Sequence, residues 1–293
     1  MIFLGEAEFL SNQQISDVNI ISNHFRGKLE ELDYLFEHGD PTRNIIAVHG
    51  GGSFGLLWPG EEYGRNLAIN LAIKYNCTFV QFPQSINFSQ GKNYESLYLI
   101  RSHSKSVICV RDKNSLQLAN KEFANVLLIP DMWHCFSEKL EIAPGKKRVV
   151  IKRNDVESND DHRLEIIQNI DWLKFTIKLG KAVREKRSVL YILSFAFFKR
   201  GNMISLKTAT NISRFRFFES LKSLSEVGTI YTDRLHASLL SIRLGLRFVI
   251  VDDKYSKIES YFDTWYQNYS PLIFSTWREA FAYDFTNESE NSS

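Results

Sequence analysis

An arginine and a histidine lie close together in the sequence where a predicted strand is followed by a predicted helix. The strand is predicted over Thr229–Thr232, and Arg234 and His236 fall at the start of a helix predicted over Arg234–Leu244. A helix N-terminus offers free N–H groups and a positive dipole end, which suit an anion. A guanidinium binds carboxylate or phosphate through paired hydrogen bonds, and an imidazole binds phosphate or transfers a proton. These residues predict an anion site with acid–base chemistry, although a helix merely capped by Asp233 fits the same spacing.

A second arginine follows another predicted strand. Arg148–Lys152 is predicted as a strand, and Arg153 comes directly after it. Ligands of parallel sheets bind at the carboxyl ends of the strands, so Arg153 is a second candidate anion ligand. A solvated basic turn, balanced by the acidic loop Asn154–His162, explains the same residues.

A glycine-rich segment follows a third predicted strand, Asn44–His49. Within it, Gly51, Gly52 and Ser53 form a candidate acceptor or phosphate loop, because glycine lets the backbone approach a ligand closely. A tight turn between a strand and a helix is the alternative. Gly51–Gly55 also matches the G-x-S-x-G nucleophile elbow and overlaps an HGGG oxyanion motif. In a hydrolase these are two separate segments that converge on one carbonyl, so the overlap argues against an esterase.

Apolar runs alternate with amphipathic stretches along the chain, which predicts an α/β fold with parallel sheets. Besides the strands named above, strands are predicted at Cys77–Phe82, ended by Pro83, and at Ser106–Val110, Val126–Ile129, Val189–Phe195 and Arg247–Val251. Helices are predicted at Glu61–Tyr75, Lys113–Phe123, Asp171–Lys186, Ser205–Ser225, Arg234–Leu244 and Thr276–Phe285.

The length of 293 residues favours two domains, because a single core rarely grows that large. The polar segment 137–147 marks the boundary between them. We therefore predict an N-terminal domain over 1–143, a C-terminal domain over 144–285 and a disordered tail over 286–293.

Composition excludes several classes of partner. The formal net charge of +2 gives no basic field for nucleic acid or membrane surfaces, and no apolar run reaches the ~20 residues of a membrane helix. The three cysteines show no CxxC spacing, which favours reduced thiols over disulfides or zinc. No other metal-ligand spacing occurs, and the first residues do not resemble a signal peptide. These features predict a cytoplasmic protein without a metal or cofactor.

The most specific motif is Thr232-Asp233-Arg234-Leu235-His236-Ala237, followed by the run from Val251 to Lys257 and by Asp263-Thr264-Trp265. Weaker motifs occur in the same order as in the family that carries these runs: Gly50–Gly55, Pro83-Gln84-Ser85, Val110-Arg111-Asp112, Pro130-Asp131-Met132 and Lys152-Arg153-Asn154-Asp155. With these motifs, which extend over residues 2–285, the chain resembles the polysaccharide pyruvyl transferases.

The resemblance implies two Rossmann-like domains that face a cleft, as in GT-B glycosyltransferases. It implies phosphoenolpyruvate as the donor and a saccharide hydroxyl pair as the acceptor, with the N-terminal domain on the acceptor side. Arg153, Arg234, Leu235 and His236 occupy the family's donor-binding positions. We expect Arg234 and His236 to be catalytic, with His236 as general acid or phosphate ligand. Asp131 and Asp233 are candidates for the acceptor base.

The sequence departs from the family pattern near its start and in the glycine segment. The family's first strand and its G-N-x-G-D-x-A-I loop have no counterpart, and Met1–Glu6 resembles the helix that follows that loop. Ser53 and Asp253 each stand where the family usually has Asn. Two other functions therefore remain open: a GT-B glycosyltransferase that uses a nucleotide sugar, and an inactive family member that acts as a scaffold. A fungal member with a missing anchor would be expected in the Golgi lumen instead of the cytoplasm.

Overall fold

The computed structural model describes residues 1–15, 18–20, 36, 44–55, 57–88, 91, 94–143, 145–153, 168–169, 204–252 and 254–283. These residues fall into two compact units. The first contains the described residues within 1–138 and 204–217, and the second contains those within 139–169 and 218–283. The predicted helix Asp171–Lys186, strand Val189–Phe195 and tail 286–293 lie outside the described residues, and the boundary between 143 and 144 stays a prediction.

The first unit is built on a five-stranded parallel sheet. Its strands are β2 (Ile45–Val48), β3 (Gly51–Phe54), β4 (Thr78–Ile86), β5 (Ser106–Val110) and β6 (Val126–Leu128), in the order β2-β4-β5-β6 with β3 also paired to β4. Two short strands, β1 (Asn19–Ile20) and β9 (Ile204–Ser205), pair antiparallel apart from this sheet. The helices of the first unit are Ile2–Asn12, Pro59–Lys74, Glu95–Ser102 and Lys113–Ala119, with a 3-10 turn at Met132–Cys135.

The second unit contains another five-stranded parallel sheet, in the order β12-β11-β10-β7-β8. The strands are β7 (Lys147–Ile151), β8 (Gln168–Asn169), β10 (Val227–Thr232), β11 (Arg247–Val251) and β12 (Leu272–Phe274). Helices of this unit lie at Leu235–Leu244, Lys257–Trp265 and Trp277–Ala282. Helix Leu206–Lys222, which precedes β10, begins in the first unit and ends in the second. The two parallel sheets confirm the predicted α/β class.

Both cores come from continuous apolar strands, as expected for parallel strands buried on both faces. In the first unit, Phe79 and Ile108 are completely buried and pack with Phe54 and Leu97. In the second unit, the corresponding cluster is formed by Val150, Tyr231, Val249, Val251, Trp277 and Ala280. These cores fix the strands whose carboxyl ends carry the candidate site residues.

The predicted helix at Arg234–Leu244 is confirmed within one residue at its start, and Gly245 is its C-cap residue. Gly245 has a φ of 64°, the left-handed conformation that glycine adopts most readily at a helix C-terminus. The strand Arg247–Val251 has the predicted bounds, as does Ser106–Val110.

Two predictions about the first sheet were wrong. Pro83 does not end its strand, since β4 continues to Ile86; the pairing register shifts between Gln81 and Gln84, and this irregularity accommodates a residue without an N–H. The glycine segment is not simply a loop or turn, because Gly51–Phe54 forms β3 and pairs in parallel with β4.

Gly55 directly follows β3 and has no room for a side chain. Its φ is +137°, and a Cβ there would lie 1.9 Å from the carbonyl oxygen of Asn87. We expect Gly55→Ala to lower the free energy of unfolding by more than about 1 kcal/mol, because both strain and a backbone clash must be relieved. Denaturant unfolding would measure the change.

Gly60→Ala is the matched control for Gly55→Ala. Gly60 lies in the first turn of helix Pro59–Lys74, and a Cβ there would meet nothing within 4 Å. Alanine at this position should be neutral or slightly stabilising. Equal effects of the two substitutions would contradict the account of Gly55.

Candidate active site

The candidate donor residues lie beyond the carboxyl ends of two neighbouring strands in the second unit. β7 and β10 are parallel partners, and Ile151 pairs with Thr232 at their ends. The Thr232 hydroxyl donates to the Ile151 carbonyl oxygen at 2.8 Å and accepts from the backbone N–H of Arg234 at 3.0 Å. The backbone N–H of Arg153 donates to Asp233 Oδ1 at 2.7 Å. These hydrogen bonds hold the ends of β7 and β10 side by side, and Arg153 and Arg234 follow those two ends.

The helix that follows β10 begins at Leu235, and Arg234 is its N-cap residue. The expectation that Asp233 caps this helix was wrong, because its carboxylate accepts from Arg153 across the strand ends instead. Leu235 is buried, so its side chain serves packing and only its backbone can face a ligand. His236 is half-buried and lies in the first helical turn, where N–H groups lack acceptors within the helix and the dipole favours an anion.

Asp233 is the most perturbed acid of the site. Its burial raises the pKa to about 6, against the opposing effects of the Arg153 N–H and of the positive charges of Arg153 and Arg234. Both guanidinium groups therefore act on the same carboxyl group. Asp233 is completely buried, and its Oδ2 has no hydrogen-bond partner among the described residues. An ionisable group with these properties is typical of functional sites.

The glycine segment belongs to the first unit and is held by polar side chains. The N–H of Ser53 donates to Gln84 Oε1 at 2.9 Å, and Gly51 has a φ of +139°. Ser53 lies inside strand β3 instead of at a turn between a strand and a helix, so it lacks the setting of a nucleophile elbow. The role of Gly51, Gly52 and Ser53 as an acceptor or phosphate loop stays a prediction.

Asp131 has a structural environment in the first unit. Its side chain is completely buried, Oδ2 accepts from Arg111 Nη1 at 2.7 Å, and Oδ1 accepts from the N–H of Trp133 at 3.0 Å. A carboxylate engaged through both oxygens stabilises the fold and is poorly suited to take a proton from a substrate. Asp131 is therefore not suited to act as the acceptor base.

One polar pair of the first unit was missed by the sequence analysis. Nδ1 of His49 lies 2.6 Å from Oε2 of Glu6, with 53% of the His49 side chain and 6% of the Glu6 side chain exposed. The position of His49 after an apolar strand was a usable signal. Its partner is 43 residues earlier, on a separate helix, and only the folded chain brings the two together.

The part of the chain that the structure describes shows neither a cluster of metal ligands nor a membrane-spanning helix. Within it, no three His, Cys, Asp or Glu side chains converge as a metal site would require. No helix in that same part combines the length and the apolar character needed to cross a bilayer.

The sequence comparison decides the family. A sequence model of the polysaccharide pyruvyl transferases matches residues 1–255, nearly the whole chain. This chain belongs to the polysaccharide pyruvyl transferase family. The resemblance carried by the Thr232–Ala237 motif is thereby confirmed.

Two relatives whose names include pyruvyl transferase are similar to this chain over most of its length. Pyruvyl transferase 1 of Schizosaccharomyces pombe is 25% identical over 280 residues, a match that covers 90% of this chain and 65% of the relative. This chain thus spans slightly less than two thirds of that relative's length. EpsO of Bacillus subtilis, which is named as a putative pyruvyl transferase, is 27% identical over 228 residues. The match covers 75% of this chain and 69% of EpsO.

A crystal structure of a functionally uncharacterised protein from Klebsiella pneumoniae has the same fold. The TM-score is 0.57 at 17% identity, and the match covers 94% of this chain and 87% of the other. At this identity the likeness concerns the fold alone. It agrees with two Rossmann-like parallel sheets, while the GT-B arrangement around a cleft stays a prediction.

Proposed function

We propose that this protein transfers the pyruvyl group of phosphoenolpyruvate to a hydroxyl pair of a saccharide, forming a ketal and releasing phosphate. The observation that carries the proposal is the pairing of β7 with β10, which brings Arg153 and Arg234 next to a helix N-terminus. Family membership supports the same reaction class. No cofactor is required, since phosphoenolpyruvate is itself the activated substrate.

The donor carries a carboxylate and a phosphate, and the candidate site offers a suitable group for each. Guanidinium groups bind such planar anions through paired, charge-assisted hydrogen bonds. The N-terminus of helix Leu235–Leu244 adds a third source of positive potential. Arg153 and Arg234 both act electrostatically on the Asp233 carboxyl group, so both contribute positive potential to the same region of the site.

The chemistry requires a proton on the methylene carbon of the donor and a nucleophile at the adjacent carbon. Protonation gives that carbon oxocarbenium character, and an acceptor hydroxyl then attacks it. Loss of phosphate and attack by a second hydroxyl close the ketal. We assign His236 as the general acid, because an imidazole titrates near neutral pH. Arg153 and Arg234 stabilise the negative charge on the departing phosphate.

The reaction can be tested by phosphate release from phosphoenolpyruvate with galactosides, mannosides and N-acetylmannosamine as acceptors. We expect release only when a suitable saccharide is present. Tight binding of a nucleoside diphosphate, with no phosphate release from phosphoenolpyruvate, would instead identify a glycosyltransferase. Failure to bind either donor would indicate a scaffold protein.

Arg153→Ala should mainly weaken donor binding. A lost hydrogen bond to a charged group is worth about 1.5–3 kcal/mol, so the donor KM should rise roughly 10- to 100-fold. Steady-state kinetics with varied phosphoenolpyruvate would measure this. Lys139→Ala is the control in the same unit, since 86% of the Lys139 side chain is exposed. A donor KM that is unchanged in Arg153→Ala would remove Arg153 from the donor site.

A further inference from the structure

The carboxyl group of Asp233 is buried within the second unit, at the strand ends that carry the proposed donor residues. Asp233 directly follows β10 and is completely buried. Its Oδ1 accepts from the backbone N–H of Arg153 at 2.7 Å, across the ends of β10 and β7. Asp233 is therefore a positioning residue, because this hydrogen bond fixes the backbone from which the Arg153 side chain extends.

The second carboxyl oxygen of Asp233 is unsatisfied. Oδ2 is buried and has no hydrogen-bond partner within the described part of the chain. Buried carboxylates are stable when their oxygens are hydrogen-bonded or paired, and Asp131 meets this condition through Arg111 and the N–H of Trp133. The unpaired oxygen of Asp233 favours the protonated acid, since a neutral carboxyl group costs less to bury.

Burial and two positive charges act on Asp233 in opposite directions. Burial raises the pKa of Asp233 to about 6, against the N–H and the charge of Arg153 and the charge of Arg234. The carboxyl group is therefore poised to change its charge close to neutral pH. An anion bound by the two arginines would offset their positive potential and place negative charge near this carboxylate, which favours its protonation.

Other ionisable groups lie on the elements that pack against β10. Lys152 follows β7, and His236 lies in the first turn of helix Leu235–Leu244. Asp252 follows β11, the other strand paired with β10, and its Oδ1 accepts from two N–H groups of helix Lys257–Trp265, at 3.3 and 3.5 Å. Of these groups, His236 also gains a proton more readily beside an anion, so its contribution has to be measured separately.

We infer that Asp233 takes up a proton from solvent when the donor binds to Arg153 and Arg234, and that the proton returns to solvent when the anion leaves. This inference rests on the proposed function, because phosphoenolpyruvate is the anion concerned. Protonation removes a buried negative charge that repels the donor, while the hydrogen bond from the Arg153 N–H to Oδ1 is kept. Donor affinity is thereby linked to pH through one side chain.

Calorimetric titration of phosphoenolpyruvate into wild type, Asp233→Asn and His236→Gln at pH 7 measures this proton. Two buffers with different heats of ionisation give the number of protons taken up. We expect Asp233→Asn to take up fewer protons than wild type, by up to roughly 0.9, the ionised fraction of the free carboxyl group one pH unit above its pKa. His236→Gln should keep this part of the uptake. Protons exchanged by the ligand itself cancel between the proteins.

The pH dependence of donor affinity separates proton linkage from a merely structural role. Asparagine resembles the protonated acid and keeps an acceptor for the Arg153 N–H. Asp233→Asn should therefore bind phosphoenolpyruvate with wild-type affinity near pH 5 and up to about tenfold more tightly at pH 7. Asp263→Asn, at an exposed position of the same unit, is the matched control and should follow wild type. Weaker binding by Asp233→Asn at both pH values would indicate a structural role and overturn the inference.

The remaining outcomes distinguish this inference from the proposed function. If wild type does not bind phosphoenolpyruvate, the proposed function fails, and the inference fails with it. Donor binding with equal proton uptake in wild type and Asp233→Asn overturns the inference alone, as does an uptake lost only in His236→Gln. If Asp233→Asn does not fold, infrared difference spectra of wild type decide. A protonated carboxyl band should grow when the donor binds, and its absence overturns the inference.

Discussion

Arg234→Ala and His236→Ala should each lower turnover of phosphoenolpyruvate by roughly 100-fold or more. Removing a group that stabilises developing charge, or one that transfers a proton, typically has an effect of this size. Arg234 is the N-cap of the helix that follows β10, and β10 pairs with β7, the strand that Arg153 follows, so its charge belongs to the proposed donor site. The measurement is the rate of phosphate release at saturating donor and acceptor.

Two further variants sharpen this experiment. Arg234→Lys keeps the positive charge but loses the planar fork, so turnover should stay well below wild type if paired hydrogen bonds matter. Arg247→Ala is the control: this exposed arginine begins β11, at the opposite edge of the same sheet. Near-normal turnover in folded Arg234→Ala and His236→Ala proteins would remove both residues from the chemistry.

Asp233→Asn should stabilise the protein at neutral pH. The pKa of Asp233 rises from 3.8 to about 6 on folding, chiefly because the carboxyl group is buried. Between these values the folded state keeps a proton that the unfolded chain has lost, so the free energy of unfolding falls as the pH rises through this window. The charged carboxylate therefore costs stability above pH 6, by up to about 3 kcal/mol.

Asparagine resembles the protonated acid and can still accept the Arg153 N–H, so the substitution isolates the charge. The free energies of unfolding of wild type and Asp233→Asn should be similar near pH 4 and should diverge toward pH 7, with the variant more stable. Denaturant unfolding at several pH values measures this difference. Asp263→Asn, at an exposed position in helix Lys257–Trp265, should show no such divergence. A variant that is less stable than wild type at pH 7 would contradict the account.

A buried charge that lowers stability is informative about the site. Burial of the Asp233 carboxylate disfavours its charged form, and the positive charges of Arg153 and Arg234 offset only part of that cost. Functional sites commonly carry such costs, because the charges that serve a ligand are not those that best stabilise the empty fold. The expected stability gain in Asp233→Asn is thus consistent with an anion site at these strand ends.

The sequence predicts the parts of this fold that depend on local pattern. The apolar runs at Ser106–Val110 and Arg247–Val251 are strands because a parallel sheet buries both of their faces. Gly245 marks a helix end because its left-handed conformation suits glycine. The sequence likewise predicts that Arg153 and Arg234 lie at the same edge of one sheet. Each follows a strand, and the carboxyl ends of the two parallel strands meet at that edge.

Features that depend on long-range pairing were not predictable in the same way. Glycine is usually unfavourable in a strand, yet Gly51–Phe54 pairs with β4. The side chain of Asp233 was expected to cap its own helix, but it bonds to Arg153, 80 residues away in sequence. The contact of His49 with Glu6 has the same origin, since helix Ile2–Asn12 must pack before the pair exists.

The most direct test of the proposed function uses phosphoenolpyruvate with an isotope-labelled methylene carbon, a saccharide acceptor and the purified protein in deuterated water. Pyruvyl transfer predicts that the label appears as a ketal methyl group on the saccharide, that this methyl carries solvent deuterium, and that phosphate is released in equal amount. An acceptor without label, modified only when a nucleotide sugar is supplied, would contradict it.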